Sequence, residues 1–334
     1  MQGTGINIAR LFNGYVNIPF ALTATIGNSL VLGAIWKTPS LHCATNVLMF
    51  SLALSDLGVG LIGQPLAVLE QVGLLKESQI FQIIAGSFAA VSLFTVTFIG
   101  VDRFLAVKLH MRYNEIVTIK RSVFAVVVIW VGSICAIFGI FLSRFSGAFE
   151  IAVCLTTLPC LFINIFVYQK LYQVCRFHHA KIQDQMTFQQ DSSLYQRAIN
   201  EARFRKSLKT MFFIVLAFTL CYFPFICVNV ALAVTGKFNC LLKTIFNISF
   251  TLTFVNSSVN PALLIFQLTE LRLAIKRILK QSCGRQQETG AFLVYGHGEA
   301  KQMLVNFILF SIKDKEQVSR KKSVSPRALL FCAC

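Results

Sequence analysis

Seven apolar runs alternate with short polar connections along the chain. They cover roughly Tyr15–Trp36, Ala44–Gln71, Gln79–Val107, Ser122–Ser143, Ala148–Gln173, Lys206–Val234 and Leu241–Gln267. A helix needs about 20 apolar residues to cross a hydrocarbon core. Most of these runs exceed that, which leaves room for tilt. A membrane barrel would show alternating segments of about ten residues instead, and neither that alternation nor an internal repeat is present. The pattern predicts an all-α fold: a seven-transmembrane helix bundle. After Gln267 the period changes. Leu268, Leu271, Ile275, Ile278 and Leu279 recur at helical spacing, with Arg272, Lys276, Arg277 and Lys280 on the other face. That is an amphipathic helix of the kind that lies on a membrane surface. The expected organisation is a short outer N-terminus (1–14), the bundle (15–267), an eighth, cytoplasmic helix (268–282) and a disordered cytoplasmic tail (283–334).

Composition supports the membrane reading. Of 334 residues, 55% are hydrophobic and 13% charged, against about 25% charged in a soluble domain. The first fourteen residues lack a basic-then-apolar signal peptide, so the first run is expected to act as an uncleaved start signal. The net charge of +17 sits in the connections and the tail, and no nucleic-acid-binding module accompanies it. Connections after runs 1, 3 and 5 carry Lys37, then Lys108, Arg112, Lys120 and Arg121, then Arg176, Lys181, Arg197, Arg203 and Arg205. Those after runs 2, 4 and 6 carry only Lys76, Arg144 and Lys237. The positive-inside rule then puts the N-terminus outside and the C-terminus in the cytoplasm. Eleven cysteines show no metal-ligand spacing and read as small apolar residues. Cys283, directly after the amphipathic helix, is a candidate palmitoylation site.

Polar residues at membrane depth are expensive and mark function. Run 1 holds Asn28 in Gly27-Asn28-Ser29; run 2 holds Asp56 in Leu52-Ala53-Leu54-Ser55-Asp56; run 3 ends in Asp102-Arg103-Phe104. Run 4 holds Trp130, run 6 holds Cys221-Tyr222-Phe223-Pro224, and run 7 holds Asn256-Ser257-Ser258-Val259-Asn260-Pro261. A bare carboxylate at Asp56 is unstable in this setting. It requires a proton, a cation, or donors such as Asn28 and Asn260.

The ordered set, over about residues 15–283, resembles the rhodopsin-like (class A) family of G-protein-coupled receptors. Any one of these motifs is common; all of them in order, each on its proper run, are specific. The resemblance implies a plasma-membrane receptor rather than an enzyme. An outer ligand would shift the bundle to a state that activates a heterotrimeric G protein, with arrestin and membrane lipids as further partners. It implies an activation switch at Asp102, Arg103, Tyr168, Phe218, Tyr222, Pro224, Asn260 and Pro261. It requires no cofactor, but implies an allosteric sodium ion held by Asp56 with Ser92, Asn256, Ser257 and Asn260, hard oxygen ligands suited to a hard cation.

Several positions depart from the family pattern. Ser78 stands where the family has the cysteine of its outer disulfide, and no cysteine lies between Cys43 and Cys135. Together with a very short connection between runs 4 and 5, this resembles the melanocortin, cannabinoid and lysophospholipid branch. Tyr222 replaces a tryptophan, Leu264 a tyrosine, and Phe204 the acidic partner of Arg103. Ala85 stands where amine receptors carry an aspartate, and Phe254 where opsins carry the retinal-linking lysine. The candidate pocket, Gln82, Gly86, Ala89, Tyr222, Phe225, Asn229, Phe250 and Phe254, is mostly apolar with a few polar points, as ligand pockets are. Asn229 matches a position used by adenosine receptors. The expected ligand is small and neutral or lipid-like. Two other readings stay open: a degenerate receptor that does not couple, and a seven-helix transporter or channel.

Overall fold

The computed structural model describes residues 2–75, 79–109, 112–142, 148–188, 213, 216–236, 240–267 and 269–289. Among them, seven helices are long and apolar enough to cross a membrane. Helix α1 is Gln2–Lys37. A 3₁₀ turn, Pro39–Leu41, leads to α2, Ala44–Val72. Helix α3 is Gln79–Leu109, and a one-turn helix, Tyr113–Ile116, precedes α4, Ile119–Leu142. Then come α5, Ala148–Phe188; α6, Leu216–Thr235; α7, Cys240–Gln267; and α8, Thr269–Thr289. Residues to Ile275 belong to one compact unit, and a second begins at Lys276.

Three boundaries differ from the apolar runs. Helix α1 begins well before Tyr15, because polar Asn13 and Asn17 face α7 and are buried there. Helix α5 continues past Gln173 to Phe188. Helix α8 runs through Cys283 to Thr289, since Gln281 and Arg285–Glu288 are good helix formers.

The bundle is apolar outside and polar inside. On α4, Val123, Phe124, Val127, Val131, Ile134 and Phe138 are exposed, while Trp130 turns inward and donates Nε1–H to Ser51 Oγ at 3.0 Å. Asn28, Asn164, Ser92 and Asn256 are buried. That distribution suits a lipid solvent, where outward apolar side chains cost nothing and inward polar ones find partners on neighbouring helices. Asn164 Nδ2 thus donates to Thr97 Oγ1 at 2.9 Å, joining α5 to α3.

Proline explains two features. Pro261 lacks an N–H, which leaves the Ser257 carbonyl without its helical donor. Asn28 Nδ2 supplies one at 3.1 Å. The preceding Gly27 makes room: a Cβ there would lie 2.7 Å from Pro261 Cγ. Glycine and asparagine together seat α1 on the α7 kink. Pro65 has a different remedy. The four-residue repeat before it is broken by a π turn, Val59–Gly63, which interrupts α2 between Gly58 and Gln64. Such turns are frequent at functional sites.

Gly27→Ala is therefore expected to destabilise the bundle by about 1–3 kcal/mol through overpacking. Gly33→Ala, with open space around it, serves as the control. Thermal unfolding of the purified protein separates them, and equal midpoints would contradict the packing argument.

Candidate functional site

Deep in the bundle, Asp56 on α2 is fully buried. Its Oδ1 accepts from Ser92 Oγ on α3 at 2.8 Å, and its Oδ2 from Asn260 Nδ2 on α7 at 2.8 Å. The Ser257 hydroxyl also faces it. Asn256 is buried beside Ser257, and its Nδ2 has no partner among the described residues. All five residues of the expected sodium set are buried and lie on α2, α3 and α7. Asn28 makes no described bond to Asp56; its Nδ2 donates to the Ser257 and Ala24 carbonyls.

A second cluster forms where α3 ends. Asp102 accepts from Tyr113 OH at 2.7 Å and from Thr45 Oγ1 at 3.0 Å. The two hydroxyls are 3.1 Å apart. Arg103 Nε lies 4.0 Å from Asp102 Oδ2, at the limit of an ion pair, and the Arg103 side chain is nevertheless buried. The carboxylate is thus held chiefly by two hydroxyls. Thr45 and Tyr113 are missing from the sequence-derived set. Their only signal is chemical: a threonine opening α2 and a lone tyrosine in a charged connection. Burial, followed by the neighbouring Asp102, pushes the Tyr113 phenol above its ordinary value, with Thr45 and Arg103 acting in the opposite sense.

The phenol therefore stays protonated and donating at neutral pH. In the unfolded chain it loses its proton near pH 10, so its contribution to stability is constant below that and falls as pH rises past it. Tyr113→Phe removes the donor and is expected to cost about 1.5–3 kcal/mol, the range for a hydrogen bond to a charged group. It should also remove part of the alkaline decline in thermal midpoint. A midpoint identical to wild type from pH 7 to pH 11 would refute this role.

The third group is aromatic. Phe225 on α6 packs against Phe246 and Phe250 on α7, with both ring centroids at 5.6 Å. Phe250 meets Phe254 at 4.6 Å. Phe254 itself is buried against Val59, Ala67 and Ala85, so it forms a wall shared by α2, α3 and α7. Tyr222 is buried and stacked on Phe218 at 4.5 Å. Asn229 is fully buried. Its Nδ2 donates to the Phe225 carbonyl at 2.7 Å, and its Oδ1 has no partner among the described residues. Gly86 faces Ile137 on α4, and Ala89 is half-buried. The Gln82 side chain, Ser78 and Phe204 lie outside the described residues. Tyr168 stacks on Tyr172 at 6.4 Å. Pro224 is half-buried in α6, and Leu264 is buried in α7.

Seven membrane-spanning helices, a buried carboxylate bonded across three of them, and an arginine held at the end of the third define a seven-helix receptor. Residues 27–264 match the family model described as 7 transmembrane receptor (rhodopsin family), and the chain belongs to that family. It is a multi-pass plasma-membrane receptor of the G-protein-coupled class. Among curated relatives, it is 24% identical to the human adenosine receptor A2a over 85% of this chain and 77% of that receptor. It is 27% identical to the adenosine receptor A3 of Ovis aries, over 79% of this chain and 88% of that receptor. It is also 27% identical to the adenosine receptor A2b of Bos taurus, over 80% of this chain and 90% of that receptor.

Proposed function

We propose that a small, neutral or lipid-like ligand binds among α3, α6 and α7 from the outer side and shifts the bundle to a state whose Arg103 end activates a heterotrimeric G protein. The observation that carries this reading is Asn229. A buried amide oxygen without a described partner lies one helical turn from Phe225, whose ring packs against Phe246 and Phe250. It offers one hydrogen-bond acceptor beside an aromatic wall, and Ala85 offers no charge. A planar ligand with an N–H or O–H donor fits that chemistry. The relatives' names make adenosine the first compound to apply. In physical terms the ligand must favour one bundle state by a few kcal/mol.

The Arg103 end faces the cytoplasm in this reading, as the basic connections require. Arrestin would share that face, and lipids the apolar exterior. The Asp56 set suits a hard monovalent cation: one carboxylate, two serine hydroxyls and two amide groups, all buried. Sodium there would supply the countercharge that the described residues lack around Asp56. Cys283 is the proposed palmitoyl acceptor.

The test is a panel of Gα reporters in cells expressing the chain, challenged with adenosine and with neutral lipids. Asn229→Leu is expected to weaken an active compound about tenfold, the loss of roughly one hydrogen bond, at unchanged surface expression. Equal potency in the two proteins would remove Asn229 from the site. A second reading, a receptor that folds without coupling, is favoured by Leu264 and Tyr222. It predicts silence in every reporter with every compound.

A further inference from the structure

Charge on the helices of the proposed pocket is confined to one point on the side away from Arg103. The spans Leu216–Thr235 of α6 and Cys240–Gln267 of α7 hold a single charged side chain, Lys243, and no acidic residue. Helix α3 carries no charge from Gln79 to Val101.

Helix geometry puts Lys243 on the bundle side of α7. Leu241, Ile245 and Ile248 are exposed and form the lipid face. Successive residues turn by about 100°, so Lys243 lies roughly 200° round from Leu241. It falls instead on the stripe of Phe246 and Phe250, one and two turns further along. Both of those rings pack against Phe225 of α6 at 5.6 Å. Lys243 is half-buried, as that face requires. The stripe also leaves space. Phe254, at its inner end, is fully buried, whereas Phe250 and Phe246 are only half-buried although their rings point at α6. Uncovered aromatic surface in a bundle-facing position means a gap between the helices.

Asn229 stands one turn beyond Phe225 on α6, and Lys243 one turn beyond Phe246 on α7, both in the direction away from Arg103. The two therefore lie at similar depth on facing helices. One offers a buried amide oxygen without a described partner; the other offers an ammonium with three N–H donors. We propose that this pair selects an acidic amphiphile. Its apolar body lies against Phe225, Phe246 and Phe250, an N–H or O–H donates to Asn229 Oδ1, and a carboxylate beside that donor meets Lys243. A cationic ligand is disfavoured, since it would meet Lys243 and no carboxylate on these stretches. The inference rests on the pocket reading above, takes its lipid-like arm and adds a charge at one end.

The experiment titrates the purified full chain, in phosphatidylcholine nanodiscs, with N-(2-naphthoyl)glycine and with its methyl ester, which keeps the donor and lacks the charge. Saturation-transfer NMR against empty nanodiscs and thermal unfolding are the readouts. Wild type is expected to bind the acid at least about tenfold more tightly than the ester, the worth of a hydrogen bond to a charged group. Lys243→Met should bring the acid to the affinity of the ester and leave the ester unchanged; Lys243→Gln is the substitute if the methionine variant does not fold. Lys243→Arg should keep the preference, and Asn229→Leu should weaken both compounds alike. Acid and ester bound alike in wild type, or a preference that survives in Lys243→Met, overturns the charge selection; weakening of both by Asn229→Leu would then leave the pocket reading standing. A lysine that only anchors α7 at the lipid surface gives a lower unliganded midpoint in Lys243→Met with the acid-to-ester ratio unchanged, and this also overturns the proposal. A preference lost in Lys243→Met while Asn229→Leu alters neither compound puts the acid outside the pocket and overturns both readings. No binding of either compound overturns the proposal alone, because the reporter panel tests the pocket separately.

Discussion

Arg103→Ala is expected to abolish G-protein activation at matched surface expression, with basal and ligand-driven signals both falling at least about tenfold. The expectation follows from the geometry at the end of α3. Arg103 is buried, yet its closest carboxylate contact is 4.0 Å, and Asp102 is already bonded to Tyr113 and Thr45. The guanidinium keeps its charge at every usable pH. An always-charged group that is buried and loosely paired favours a state in which it reaches new acceptors, which a G protein would provide. Basal activity across a panel of Gα reporters is the measurement. Activity equal in wild type and variant would show that Arg103 does not carry the signal.

The second large effect concerns Asp56. Sodium is expected to raise the thermal midpoint of the purified wild-type protein, and Asp56→Ala should erase that response. Potassium at equal ionic strength is the control for screening. A buried carboxylate with no countercharge nearby is costly. A cation that binds only the folded bundle adds stability in proportion to the logarithm of its concentration above its dissociation constant. The serines and asparagines alone should bind too weakly to preserve the effect. If wild type and Asp56→Ala respond alike to sodium, the five residues form interhelical hydrogen-bond glue and nothing more.

The spans were legible because apolar length is a direct consequence of membrane thickness. Asp56, Ser92 and Asn260 were legible as a group through the family resemblance, and the structure brings them within hydrogen-bond distance. Three things were not legible. The bonding of Tyr113 and Thr45 to Asp102 depends on how the connection after α3 folds back onto α2, and no periodicity encodes that. The π turn is foreshadowed by glycines at 58, 60 and 63 before Pro65, yet the same residues would suit a simple kink. Asn28 is one possible donor to Asp56 by sequence, but it answers the carbonyl that Pro261 releases. Pairing a proline on one helix with a donor on another requires their relative register, which the local sequence does not contain.

The bonds of Asn13 and Asn17 to Thr251 have a consequence for how the protein is made. The acceptor of Asn17 lies 234 residues downstream. At about 5–20 residues per second, synthesis takes on the order of tens of seconds to reach it. Through that interval the first helix resides in the bilayer with two carboxamides short of their acceptor on the last. The ring of helices closes only when α7 inserts, so a nascent chain stopped before Thr251 keeps an open polar flank on α1. That flank distinguishes an unfinished receptor from a finished one while the ribosome is still attached.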